Sequence, residues 1–348
     1  QQLRWHFWSL FTTRVINLRK FGIAMAKIGV PTPQKTGPFI GPATFMNIPY
    51  STDFSKAKAV VLGVPYDGGL HPTRIGSRTG PAAIREQSQL VRPFQPPHAK
   101  FNPLELLNVV DCGDADIFPD CVEDTTESIA LMTRAITAGG GIPLGLGGDH
   151  YNGYPACLGY SRGLLDRDPN RKFGYIQVDG HLDFTNRLGA WGTHNHATNG
   201  RRISEFSNII QPNMVWIGIS GWIDGGEYEL IKSMGGKVFS SQDVHRLGAA
   251  KVMELAIKHA TRGCESLYVS LCIDAMDAGY LPGTGSVVHS GITPRQYCQM
   301  LDILSEAPFD GLDIVETCPP LDPSGRTEQI AGHLLLRTLR RHMFDISE

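Results

Sequence analysis

The nine residues Tyr175-Ile176-Gln177-Val178-Asp179-Gly180-His181-Leu182-Asp183 say more about this chain than any other stretch. An apolar run ends there in Asp-x-His-x-Asp. In extended backbone, alternate side chains share one side, so Asp179, His181 and Asp183 are expected to face together. Carboxylates with a neutral imidazole suit hard or borderline divalent ions such as Mn²⁺, Ni²⁺, Fe²⁺ or Zn²⁺. A solvated turn with incidental charges is the plainer alternative for this stretch alone.

Working outward, short β-rich apolar runs alternate with longer amphipathic segments. Eight strands are expected at 59–65, 107–111, 142–146, 175–179, 214–220, 237–240, 267–274 and 311–315. Helix-like segments fall at 80–88, 125–138, 226–233, 249–260 and 294–304. A closing helix is expected at 327–343, with Leu334, Leu335 and Leu336 on its core side and Arg337, Arg340 and Arg341 where the dipole favours cations. This alternation predicts an α/β protein with a parallel sheet covered on both faces. Polar clusters sit at the strand ends: Asp67, Asp149-His150, Asp179-Gly180-His181, Asp274 and Glu316. In an open parallel sheet those ends lie along one edge, where ligands bind.

Three further segments belong with the first. Gly147-Gly148-Asp149-His150 lets the backbone turn tightly after a strand and aim a histidine inward; a capping Asp beside a surface His is the alternative. In Ser270-Leu271-Cys272-Ile273-Asp274, Cys272 and Asp274 alternate as Asp179 and His181 do. Glu316 follows an apolar strand and precedes Pro319-Pro320.

Together, in this order, these segments resemble the ureohydrolase family of arginases, agmatinases and other guanidino-compound hydrolases, including guanidine- and metformin-hydrolase-like members. The family pattern is GG(D/E)H, DAHxD, SxDxDxxDPxxxPGTG and a late (D/E)xVE. Here it reads GGDH at 147–150, DGHLD at 179–183, SLCIDAMDAGYLPGTG at 270–285 and DIVE at 313–316. Further matches are GVPYDGG at 63–69 and GPAAIR at 80–85, and the resemblance spans roughly residues 59–340.

The resemblance implies a three-layer α/β/α sandwich with a parallel eight-stranded sheet. It implies two divalent metal ions, Mn²⁺ or Ni²⁺, that make hydroxide available near neutral pH to attack a guanidinium carbon, giving urea and an amine. By position His150, Asp179 and Asp183 hold one ion, and Asp179, His181 and Asp274 the other. Glu316 stands where the family grips the guanidinium N–H groups, and His196 matches a proton-shuttling histidine, with His194 the competing candidate. Ser220 and Trp222 are expected near the site mouth, with core or subunit packing an equal reading for Trp222. Trimers or hexamers, homo- or hetero-oligomeric, are the implied assemblies.

Two departures bear on activity. Gly180 replaces the family Ala, which is expected mainly to loosen the strand end. Cys272 stands where the family has a bridging Asp; a thiolate is anionic but softer and offers one donor atom. Ala278 is a smaller departure, where the family usually has Pro. The alternatives to a guanidinium hydrolase are therefore a ligand-depleted subunit of a hetero-oligomer and a single-metal deacetylase-like amidohydrolase.

Composition sets the outer limits. Across 348 residues the net charge is −2, so no basic field suggests nucleic acid, and no 18-residue apolar run suggests a membrane span. Seven scattered cysteines without a CxxC read as reduced thiols, which places the protein in the cytoplasm. Residues 1–52 contain no Asp or Glu and are expected to form a basic extension before a single domain at 53–348. Arg4, Arg14, Arg19 and Lys20 lie among Trp5, Phe7, Trp8, Leu10 and Phe11. That pattern reads as a mitochondrial transit peptide, an upstream extension before Met25, or a docking arm.

Overall fold

The computed structural model describes residues 43–68, 73–93 and 102–339. Residues 1–24 and 340–343, on which the transit-peptide reading and the end of the closing helix rest, lie outside the described residues. Eight strands run β1 (Ala59–Val64), β2 (Val110–Asp114), β3 (Ile142–Gly147), β4 (Phe173–Val178), β5 (Ile209–Ile219), β6 (Lys237–Ser240), β7 (Ser266–Cys272) and β8 (Gly311–Val315). They form one sheet in the order β2-β1-β3-β8-β7-β4-β5-β6, and every pairing is parallel.

The strands bury both faces, which is why they read as continuous apolar runs rather than alternating ones. Val61, Leu144, Val178, Ile217, Leu271 and Ile314 point to one face, against helices that include Ala249–Ala260, Pro294–Leu304 and Arg326–Thr338. Leu62, Tyr175, Trp216 and Tyr268 point to the other, against helices Val122–Ala138 and Gly153–Arg167. This is the expected three-layer α/β/α architecture.

Three boundaries differ from expectation for local reasons. The second strand was expected at 107–111 but runs from Val110. Residues Pro103–Leu106 instead make a helical turn, capped by the Asn102 side chain accepting from the Leu104 N–H. β7 stops at Cys272, and Asp274 lies in the 3-10 turn Ile273–Ala275. Residues 44–52, placed in the extension because they lack acids, pack against the sheet: Phe45 is fully buried and its N–H donates to Asp111 Oδ2 at 2.9 Å.

Asp111 also anchors the GPAAIR segment. Arg85 makes a two-pronged contact with it, Nε to Oδ2 at 2.8 Å and Nη2 to Oδ1 at 2.9 Å, and reaches Asp114 with Nη1 at 2.5 Å. Arg85 and Asp111 are both buried, so truncating one partner strands a charge away from water. Arg85→Ala is expected to lower unfolding free energy by about 3–5 kcal/mol, read from denaturant midpoints against the parent protein.

Candidate metal centre

The sheet order places the sequence-predicted donors side by side. β3, β8, β7 and β4 are neighbours in the middle of the sheet. Being parallel, they deliver their carboxyl ends to one edge: His150 beyond β3, Glu316 beyond β8, Cys272 and Asp274 at β7, and Asp179, His181 and Asp183 beyond β4.

Asp179 is at the centre and has no solvent exposure. Its Oδ2 lies 2.8 Å from His150 Nδ1, and Asp183 Oδ2 lies 2.9 Å from the same nitrogen. On the other side, His181 Nδ1 lies 3.5 Å from Asp179 Oδ1 and 3.3 Å from Asp274 Oδ2. Two sets of donor atoms lie within 4.8 Å of one another: His150, Asp179 and Cys272, and Asp179, His181 and Asp274. Cys272 thus joins the His150 cluster rather than turning away, and its thiol is fully buried.

The donors fit divalent cations. His150 Nδ1 is buried and has no hydrogen-bond partner, although two carboxylate oxygens crowd it. Two donors each about 2.1 Å from one ion, at right angles, stand about 3 Å apart, which matches these separations. The opposite ring nitrogen, Nε2, lies 2.9 Å from Ser270 Oγ, and Ser270 donates to Asp313 at 2.5 Å. This chain fixes the imidazole's orientation, as partners behind metal-ligating histidines do.

Electrostatics agree. Burial alone would lower the His150 pKa, but Asp179 and Asp183 outweigh it and hold it well above the ordinary value. His181, with burial opposing and Asp274 and Asp179 favouring its charge, is pushed up to about 12. Burial drives the Asp183 carboxyl up to about 6 and the Cys272 thiol well above its usual range, with Asp179 adding to both. A field that holds protons on both imidazoles is one in which divalent ions, carrying more charge, would displace them.

The backbone is shaped for this convergence. Asp183 and Glu316 both adopt left-handed conformations, with φ of 46° and 68°, where non-glycine residues are uncommon and cluster at functional sites. The turn brings Glu316 Oε1 to accept from the His150 N–H at 2.8 Å. A Cβ on Gly148 would stand 1.8 Å from the Tyr66 carbonyl, so the turn into His150 requires glycine. Gly180 does not merely loosen the strand end: a Cβ there would meet Val288 Cγ1 at 2.7 Å and the Asp274 carbonyl at 2.9 Å, so Val288 occupies the space an alanine methyl would need.

A cavity of about 170 Å³ opens beside the cluster, lined by His181, Asp183, His196, Asp274 and Glu316 and, toward its rim, Trp222, Asp224 and Glu227. His196 therefore faces it. His194 instead packs its ring 5.8 Å from Tyr154 and 6.3 Å from Tyr151. Trp222 is fully exposed, so it packs in no core of this chain. Sequence reading missed Gln177 and Asp313. Gln177 Nε2 donates to Asp179 Oδ2 at 2.8 Å, and its place two residues before Asp179 was the available signal. Asp313 pairs with Ser270 across β7 and β8, a register visible only in the fold.

Fold and donor set define an α/β protein whose sheet edge gathers His, Asp and Cys groups that could hold a divalent cation. Over residues 57–340 the chain matches the Arginase family. It is 30% identical to guanidinopropionase of Pseudomonas aeruginosa over 305 residues, covering 86% of this chain and 92% of that protein. It is likewise 30% identical to the mitochondrial guanidino acid hydrolase of Homo sapiens, covering 89% and 85%. The solved structure of proclavaminate amidino hydrolase from Streptomyces clavuligerus is similar at a TM-score of 0.78 and 25% identity, over 88% of this chain and 99% of that one. The chain belongs to the Arginase family.

If Cys272 is the soft element of a donor set otherwise rich in carboxylates, Cys272→Asp is expected to tighten Mn²⁺ binding by about tenfold. Metal titration of the two proteins side by side checks this, and equal dissociation constants would remove Cys272 as the determinant.

Proposed function

We propose that this chain hydrolyses a small guanidinium compound to urea and an amine, using two divalent ions. The observation that carries the reading is the cavity lining: five carboxylates, Asp183, Asp224, Glu227, Asp274 and Glu316, with two imidazoles and, among the described residues, no Lys or Arg. Such a surface needs cations, and a guanidinium supplies one in a shape that a carboxylate can grip through paired N–H groups.

His150, Asp179 and Asp183, with Cys272, would hold one ion; Asp179, His181 and Asp274 would hold the other. When bound, such ions supply hydroxide near neutral pH by lowering the pKa of water. The chain's own residues do the rest. Glu316 accepts the guanidinium N–H groups, and its bond to the His150 N–H ties the substrate clamp to a metal-ligand turn through one contact of 2.8 Å. Burial pushes the Glu316 pKa well above the ordinary carboxylate value, with Asp149 and Asp274 adding to it, so a cationic substrate is what restores its charge. His196 faces the cavity and delivers a proton to the leaving amine.

All seven cysteines are free thiols, which supports a reducing compartment: the cytoplasm, or the mitochondrial matrix if residues 1–24 act as a transit peptide. Among the described residues no helix is long and apolar enough to cross a membrane. Further copies or paralogues of the chain, as trimers or hexamers, are the proposed partners.

Urea release from a panel of guanidines, lost on chelation and restored by Mn²⁺ or Ni²⁺, is the expected result; acetate release from acetylated amines without urea would contradict it. In the same assay Glu316→Gln is expected to lower kcat/KM by about 100-fold or more while leaving metal content unchanged.

A further inference from the structure

We infer that Arg74 is a positioning residue for the cavity: it holds the loop 281–286, which ends in a cavity-lining serine, and so sets how closely a guanidinium substrate is enclosed. This rests on the guanidinium-hydrolase reading for what the cavity receives and extends it to the part of the chain that shapes the wall. Residues 281–287 form neither helix nor strand, yet Gly283, Thr284 and Gly285 are buried. Buried backbone outside a helix or ladder must find its hydrogen-bond partners elsewhere. Four consecutive carbonyls find them here. Arg74 Nη2 donates to Pro282 at 3.4 Å and to Thr284 at 2.7 Å, and its Nε donates to Gly285 at 2.9 Å. The Cys318 N–H donates to the Gly283 carbonyl at 2.7 Å.

Three of these four bonds come from one side chain that enters from the far end of the sequence. A charged donor makes bonds roughly twice as strong as a neutral one, and the planar guanidinium serves several acceptors at once. Other parts of the loop are fixed by other means. At its base the Asp277 carboxylate accepts from the N–H groups of Gly279, Ser290 and Gly291. Gly283 packs so closely that a Cβ there would stand 2.7 Å from Thr327 Oγ1 and 2.9 Å from Asp322 Cβ. Arg74 supplies the hold on residues 284 and 285, the two peptide units that lead into Ser286.

Two contacts distinguish this from a restraint that serves the fold alone. Ser286 lines the cavity together with His181, Asp274 and Glu316. Cys318, which holds Gly283, lies two residues beyond Glu316. The loop therefore joins the strand end that carries the substrate clamp to the cavity wall, and Arg74 fixes it there. Arg74 is not itself among the lining residues, so it acts through the loop and not on the substrate.

The test uses the full-length, metal-loaded chain with methylguanidine, butylguanidine and 4-guanidinobutyrate as substrates, and reads amide hydrogen exchange by mass spectrometry beside kcat and KM. Arg74→Ala is expected to quicken exchange in residues 279–287 by about tenfold, leaving β7 and β8 as in the parent. It is expected to raise KM by about tenfold with kcat within about threefold and metal content unchanged. Arg74→Lys keeps a charge but not the fork, so both effects should fall between parent and Arg74→Ala; it carries the same readings if the alanine variant does not fold. Quickened loop exchange with KM at the parent value would overturn the proposal by leaving Arg74 a fold restraint only. Unchanged loop exchange would overturn it too, as would exchange that quickens across β7 and β8 with loss of metal in Arg74→Lys. These three results leave guanidinium hydrolysis intact, whereas urea from none of the three substrates with the parent chain would overturn both readings together.

Discussion

The structure turns on one electrostatic constraint: the sheet edge gathers more buried negative charge than its own residues can neutralise. Asp149, Asp179, Asp274 and Glu316 are all buried around it, and among the described residues the imidazoles of His150 and His181 answer Asp179 and Asp274. Buried carboxylates are costly to leave charged, so burial raises the Asp149 and Glu316 pKa values and favours their protonated forms, and a bound cation would relieve the same cost. The opposing pKa movements follow from this. The field holds Asp179 well below its usual range, while burial and its neighbours push Asp149 to about 7.

That constraint explains features that otherwise look unrelated. The left-handed backbone at Asp183 and Glu316 costs free energy and serves only to turn carboxylates inward. The layer behind them is polar and fully paired: Gln177 steadies Asp179, and Ser270 with Asp313 steadies His150. Tyr268 completes it by donating to Asp313 at 2.7 Å. A site so reinforced resists collapse in the absence of ligand, which suits a preorganised catalyst. The replacement of an expected Asp by Cys272 is contained within this frame, since the thiol stays with the donors instead of leaving a gap.

Much of this was legible before the fold was known. Alternating strands and helices with acids at strand ends gave the architecture and the edge, because a parallel sheet brings those ends together whatever the strand order. Period-two spacing pointed to the candidate donors at 179–183 and 270–274 and paired glycines to His150, while their division between two ions came from the family resemblance. Other features were not readable, for physical reasons. The order β3-β8-β7-β4 depends on crossovers that local sequence does not encode, and with it the pairing of Ser270 with Asp313. The role of Gly180 depends on Val288, which lies more than a hundred positions away along the chain. Glu227 in a first helical turn reads as an ordinary dipole partner until the cavity beside it is seen. His196 was put ahead of His194 by resemblance alone, and the fold adds that His194 packs against Tyr151 and Tyr154.

The central claim is that cations complete this sheet edge, and metal content per chain tests it most directly. Protein loaded with Mn²⁺ or Ni²⁺, freed of excess ion and submitted to elemental analysis, is expected to carry close to two ions per chain and to lose both in Asp179→Asn. No metal above background in the loaded parent protein would contradict the account.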